Sequence, residues 1–266
     1  MRTSRAIGGL VLGAALALVA GCGVGPGAAG EPSPTATASV PTDETPGTSP
    51  APTPEPEPTA ADVRAQGATV VSGSVTLAVL ARGTGEATSR TEPDGSATFG
   101  VPAGGALVAT PADVTVEVQD DGSVLLVGAG GAAVGGLVVT DAAGLPTEVE
   151  VAAPDLVRLG AGATAAAGPT GRLGTTGVAS LDWGEREGGR SLAVEPTPWA
   201  RAGGEAAVAL IRQEMVAASP EADSPTMLDQ LTCHALGARD KDTWNLEPWR
   251  PDVGLLAVLA ARCNPT

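Results

Sequence analysis

The sequence contains no tyrosine, one phenylalanine and four tryptophans among 266 residues, so aromatic side chains make up only 2% of it. A Phe/Tyr-rich interior is excluded, and any core has to be assembled mainly from Ala, Val and Leu, which bury little area apiece. Lysine is nearly absent as well. Lys241 is the only one, and 15 basic against 30 acidic residues leave a formal charge of −15. That balance excludes nucleic-acid binding, which depends on Lys and Arg displacing counterions from phosphates. It equally excludes attachment to anionic lipid through a polybasic patch. One histidine and three cysteines, without short Cys or His spacings, offer no ligand set for a metal, and no cofactor is expected.

Long apolar runs are lacking too, with one exception. Residues 6–20 are an uninterrupted stretch of Ala, Gly, Leu, Ile and Val, preceded by Arg2 and Arg5. As a helix the run spans about 22 Å, short of a roughly 30 Å hydrocarbon core, so it reads as a cleaved export signal rather than a transmembrane segment. Leu18-Val19-Ala20-Gly21-Cys22 closes it and resembles the lipobox of bacterial lipoproteins. The resemblance implies that residues 1–21 are a signal peptide and that the Cys22 thiol carries a diacylglyceryl group. The chain is then held on the extracytoplasmic face of the cell membrane, because two acyl chains suffice for stable anchoring.

Residues 22–61 carry Pro-Ser-Pro, Pro-Ala-Pro-Thr-Pro-Glu-Pro-Glu-Pro and many threonines. With no apolar periodicity and with prolines removing amide donors, the segment reads as a disordered N-terminal tether that lifts the rest away from the bilayer. Its threonines are candidate glycan acceptors. Residues 62–160 change to short Val and Leu runs punctuated by turns. Val114-Thr115-Val116-Glu117-Val118 alternates strictly before Asp120-Asp121-Gly122, and Pro93-Asp94-Gly95 precedes another run. Such spacing predicts a mostly β middle domain, an antiparallel sandwich or open barrel. Asp120 and Asp121 read as hairpin residues, since no EF-hand spacing follows. Residues 161–176 are dominated by Ala, Gly and Thr and read as a linker.

Residues 177–266 hold all four tryptophans, the single histidine, the single lysine and the remaining two cysteines. They read as a small α+β domain. Trp183 to Arg190 looks like a turn, residues 191–195 a strand stopped by Pro196. Residues 204–218 form a helix with Val208, Ile211 and Met215 on its apolar stripe. Ser224-Pro225 opens a second helix that Gly237 stops. The apolar run 253–262 is expected as a strand. Cys233 and Cys263, left over once Cys22 is assigned to lipid, imply one disulfide in an exported chain. Closing a loop of about 30 residues contributes roughly 3–4 kcal/mol in the chain-entropy model.

Two chemistries compete for this region. His234, oriented by Asp229, Glu247 or Asp252, is a candidate general base for a hydrolase acting on an envelope ester, amide or glycan. No Gly-x-Ser-x-Gly elbow, His-Glu-x-x-His motif or unpaired nucleophilic cysteine supports it, and no residue is assigned as catalytic. The binding alternative uses Trp244, Asn245, Glu247, Trp249 and Arg250, with His234 beside them. Trp and Arg are the types enriched where few contacts carry most of a binding energy, and the flanking prolines make them rigid. The motifs Trp183-Gly-Glu-Arg-Glu-Gly-Gly-Arg-Ser-Leu, Pro196-Thr-Pro-Trp-Ala-Arg201, Cys233-His234, Trp244-Asn-Leu-Glu-Pro-Trp-Arg-Pro-Asp252 and Arg262-Cys-Asn-Pro265 together resemble a domain-of-unknown-function family of exported actinobacterial proteins, the one numbered 2599. That family has no established reaction or ligand, so the resemblance carries over no site residues. The expectation is a non-catalytic binding or structural module presented in the cell wall, with a wall glycan or a protein as partner and the hydrolase as alternative.

Overall fold

The computed structural model describes residues 56–160 and 168–266. The expected signal peptide, Cys22 and nearly all of the tether lie outside these residues. Helix α1 (Ala60–Gln66) begins inside the stretch whose composition reads as tether. It forms there because Thr59 and Asp62 make a reciprocal capping box: the Thr59 side chain accepts from the Asp62 N–H while the Asp62 carboxylate accepts from the Thr59 N–H.

Two antiparallel sheets follow. The first has the order β1 (Ala68–Ser72), β2 (Val75–Ala81), β5 (Ala106–Ala109), β10 (Leu156–Leu159), β9 (Val149–Ala153). The second runs β3 (Ser89–Thr91), β4 (Ala97–Gly100), β11 (Thr170–Gly174), β8 (Ala133–Thr140), β7 (Val124–Val127), β6 (Thr115–Val118). Val70, Leu77, Val79, Val108 and Leu159 of the first sheet meet Phe99, Leu126, Leu137, Val139 and Leu173 of the second in one buried cluster. The two sheets are therefore packed face to face as a sandwich. Val63 of α1 covers the outer face of the first sheet against Ala78, Leu107 and Leu156.

Strand β11 corrects the expected linker at 161–176. It lies in the middle of the second sheet, bonded to β4 on one side and β8 on the other. Its glycines hide it from sequence reading, and two fully buried aromatic rings explain them. A Cβ on Gly171 would lie 2.2 Å from Cζ of Phe99, and one on Gly174 would lie 2.1 Å from Cδ2 of Trp199. With so few aromatics available, each ring is bedded directly on β11 backbone.

The third sheet has the order β12 (Val178–Arg186), β13 (Gly189–Pro196), β14 (Trp244–Leu246). Trp183 to Arg186 are thus strand residues and not a turn. The loop is only Glu187 and Gly188, both with positive φ (51° and 88°), the type I′ geometry that matches strand twist. Helices α2 (Gly204–Ala218) and α3 (Pro225–Gly237) lie where their caps and stripes predict. Leu192, Val194, Trp244 and Leu246 of the sheet pack against Leu210, Ile211, Met215, Met227 and Leu231 of these helices. The expected final strand is instead a short helix, α4 (Leu255–Ala260). Gly254, at φ 78°, turns the chain into it, and Val258 is buried against the Cys233–Cys263 disulfide, whose Cα atoms are 5.5 Å apart.

The described residues belong to one compact unit, and a repeated device joins its two main cores. Asp94-Gly-Ser96 and Asp121-Gly-Ser123 are both hairpin turns of the second sheet. In each, Oδ1 accepts from the serine of its own turn, while Oδ2 reaches the C-terminal region. Asp94 takes the Trp199 N–H at 2.9 Å, and Asp121 takes the Glu205 N–H at 2.8 Å, capping α2. Ser123 Oγ accepts from Ala206 N at 3.0 Å. Further along α2, the Gln213 amide brackets the backbone of Ala133 through both its oxygen and its nitrogen.

Candidate functional site

Strand β14 has only three residues, and its alternation distributes the residues expected to bind. Trp244 and Leu246 point into the helix-packed core and are fully buried, with Trp244 Nε1 donating to the Ala238 carbonyl at 3.1 Å. Trp244 is therefore a core residue and not part of a presented face, a correction to the sequence reading. Asn245 is half-buried, and its Oδ1 has no partner among the described residues.

Beyond β14 the chain makes a tight turn over residues 247–250, with Arg250 N–H donating to Glu247 O at 3.3 Å. The Arg250 side chain is 1% exposed and that of Glu247 3%, and the two are paired with each other. Arg250 donates from Nε to Glu247 Oε2 at 2.7 Å, from Nη2 to Glu187 Oε2 at 2.7 Å and from Nη1 to the Pro265 carbonyl at 3.1 Å. Gln230 of α3 clasps the Glu247 backbone, donating to its carbonyl at 2.9 Å and accepting from its N–H at 3.0 Å. Burial opposes the charge on Arg250, but hydrogen bonds to Glu247 and Glu187 outweigh it and hold its pKa above the ordinary value. This guanidinium ties β14, the β12–β13 hairpin and the C-terminal tail into one piece.

Trp249 sits on that piece and remains 44% exposed. Its indole lies flat on Gly189, where an added Cβ would come within 2.3 Å of Cδ1 and Nε1, and the Arg250 Cζ stands 4.6 Å from the ring centroid. On the opposite face of the same hairpin, Trp183 is half-buried, donates to Ser219 Oγ at 2.7 Å and carries Arg190 at 4.2 Å from its ring. Arg190 is in turn paired with Glu221 through both carboxylate oxygens, at 2.6 and 3.0 Å. The hairpin tip thus bears one Trp–Arg stack on each face. Trp199 is buried between the second sheet and α2.

His234 is 4% exposed, on α3 beside the disulfide, with its ring parallel to Trp244 at 6.4 Å. Nε2 lies 3.1 Å from the Asn245 carbonyl, which can only accept, so the ring proton sits on Nε2. Nδ1 has no partner among the described residues. Burial pushes the His234 pKa down to about 4, with the nearby charge of Lys241 adding to the shift. None of Asp229, Glu247 or Asp252 hydrogen-bonds the imidazole. Glu247 is committed to Arg250, while Asp229 is held above the usual carboxylate range by burial and by the charge of Asp252. The carboxylates that a hydrolytic His234 needs are not assembled around it.

Glu187 and Gly189 belong to the Trp249 site although neither stands out in sequence; the signal that points to them is the positive-φ dipeptide Glu187-Gly188 in a two-residue hairpin. The two Asp-Gly-Ser turns were legible as turns, and only their repetition hints at a shared second role.

Residues 178–266, which begin with β12 and contain the whole Trp249 assembly, match the family described as "Protein of unknown function (DUF2599)". An uncharacterized protein of Mycobacterium tuberculosis and one of Mycobacterium bovis are each 38% identical to this chain over 96 residues, 33% of this chain. The chain spans 65% of the length of these curated relatives. No solved structure matches the chain at a significant level.

Proposed function

We propose that the protein is a lipid-anchored cell-envelope module that binds, without catalysis, through the face carrying Trp249, and that its partner is a cell-wall glycan. The observation that carries this reading is an indole left 44% exposed while locked on Gly189 and backed by an Arg250 whose three guanidinium nitrogens each donate a hydrogen bond. A ring held in this way loses little conformational freedom when a sugar or planar group stacks on it, which is the condition for a strong anchor. The lipobox-like Leu-Val-Ala-Gly-Cys22 and the Pro/Thr-rich tether support placement in the envelope. The Cys233–Cys263 disulfide supports an oxidising compartment.

The hydrolase alternative gains no support from the surroundings of His234, where no carboxylate among the described residues orients the ring. Binding is tested by co-sedimentation of the full chain with purified wall material, comparing the parent with Trp249→Ala and Trp183→Phe. Trp249→Ala is expected to lose at least tenfold in affinity, the scale of a hot-spot aromatic at roughly 2 kcal/mol, while Trp183→Phe binds like the parent. Equal binding by all three refutes the reading. Anchoring is tested by mass analysis of the membrane form, which should lack residues 1–21 and carry acyl mass on Cys22.

A further inference from the structure

β12 is an edge of the three-stranded sheet: Val178 N–H donates to Glu214 of α2, and among the described residues β13 is the only strand that pairs with it. The type I′ turn closes on the Arg186–Gly189 pair, and this sets the alternation. Arg186, Gly184 and Asp182 direct N–H and C=O toward β13, whereas Glu185, Trp183 and Leu181 direct theirs outward. An exposed row of such groups is a template for another strand. Side-chain order decides which strand fits. Ser180, Asp182, Gly184 and Arg186 are all exposed, and neither Asp182 nor Arg186 forms an ion pair among the described residues.

We propose that β12 pairs antiparallel with β12 of a second copy of this chain, about a two-fold axis at Gly184. In that register Glu185 of each copy exchanges main-chain hydrogen bonds with Trp183 of the other, and each Asp182 lies opposite the second copy's Arg186. These are the close, non-hydrogen-bonded positions, where opposite charges favour pairing and like charges oppose it. Gly184 meets Gly184 on the axis with no side chain between the backbones.

Other registers lose the match. An axis at Asp182, Glu185 or Arg186 sets like charges directly opposite one another, and an axis at Trp183 leaves each Arg186 facing Ser180. The net charge of −15 opposes indiscriminate association, so a local complement of this kind is what selects the partner. The product is a closed, isologous six-stranded sheet. It uses the edge of β12, whose Asp182, Gly184 and Arg186 share the sheet face on which Trp249 covers Gly189, so it is tested by cross-linking and sedimentation and not by glycan binding.

Gly184 supplies the test, because its backbone has no positive φ and an added Cβ meets nothing within 4 Å. Across the axis the two Cα atoms would lie about 4.5 Å apart, within disulfide range. Two copies of Ser180 would lie about 27 Å apart, eight residues at roughly 3.4 Å each. Under mild oxidation the full chain carrying Gly184→Cys is expected to form a covalent dimer, with peptide mapping placing the bridge between the two introduced thiols. Ser180→Cys should give at least tenfold less. In sedimentation experiments Asp182→Arg or Arg186→Asp should each weaken dimerisation about tenfold, because two cross-strand attractions become repulsions, and the double exchange should restore it. Circular dichroism checks that each variant is folded, and the charge series stands alone if the cysteine variant is not. A monomeric parent, equal bridging at positions 180 and 184, or a double exchange no better than the singles overturns the proposal.

Discussion

Replacing Gly174 by alanine sets backbone propensity against packing. A Cβ at this position would lie 2.1 Å from Trp199 Cδ2 and 2.5 Å from Cγ. Carbon atoms in contact sit about 3.5–4.0 Å apart, so the ring has to retreat by more than about 1 Å. It has little room to do so. Its backbone N–H is held by Asp94, its Nε1 lies 3.4 Å from the Arg172 carbonyl, and Gly136 lies against its outer edge. Overpacking costs about 1–3 kcal/mol, and weakening the indole hydrogen bond adds about 1, giving roughly 2–4 kcal/mol for Gly174→Ala. For a unit of this size that is a fall in Tm of about 4–16 °C. Propensity alone predicts the opposite sign, since alanine in a strand is favoured over glycine by roughly 0.5–1 kcal/mol. Thermal and urea unfolding of the full chain measure the effect. In a Trp199→Leu background the same substitution should cost nothing, because the ring it strikes is gone. A Gly174→Ala chain as stable as the parent, with an unchanged denaturant slope, refutes the bedding of Trp199 on β11.

Arg250→Met should destabilise the chain by about 3–5 kcal/mol in urea unfolding, because it leaves the buried Glu247 charge unpaired, and Glu247→Met added to it should recover part of that loss. The His234 pKa near 4 in the folded chain lies below the unfolded value of about 6.5, so between these values the unfolded chain binds the extra proton. Its contribution, on the order of 3 kcal/mol, is intact above about pH 6.5 and is lost as pH falls toward 4; denaturant titrations across that window should show a shallower decline for His234→Gln. Asp121→Ala removes the acceptor that caps α2 and should cost about 1 kcal/mol, read in the same titrations, with Asp94→Ala comparable. Reduction of the Cys233–Cys263 bridge should lower stability by about 3–4 kcal/mol, measured by unfolding with and without reductant.

Much of this architecture was legible wherever a local rule has one physical solution. Asp-Gly at 121–122 forces a tight hairpin, Ser224-Pro225 forces a helix start, and the stripe of Val208, Ile211 and Met215 selects a helix of the observed length. Where tertiary contacts set the residue choice, the pattern misled. Gly171 and Gly174 look like linker residues because the rings that need them, Phe99 and Trp199, are distant in sequence. The Ala-Leu run at 255–260 suits either helix or strand, and Gly254 together with the disulfide decides for a helix. Trp244 and Trp249 share a motif, yet one is core and the other exposed. A three-residue strand is too short for its alternation to be read, and the glycine that seats Trp249 lies on another strand.

The most direct measurement is tryptophan fluorescence of the full chain, quenched by acrylamide with and without soluble fragments of wall glycan, in the parent and in Trp249→Phe. In the parent a quencher-accessible component should be shielded by the glycan, and in Trp249→Phe the accessible component should shrink to that of the half-buried Trp183 and the shielding should disappear. A glycan response that persists unchanged in Trp249→Phe contradicts the assignment of Trp249 as the binding face.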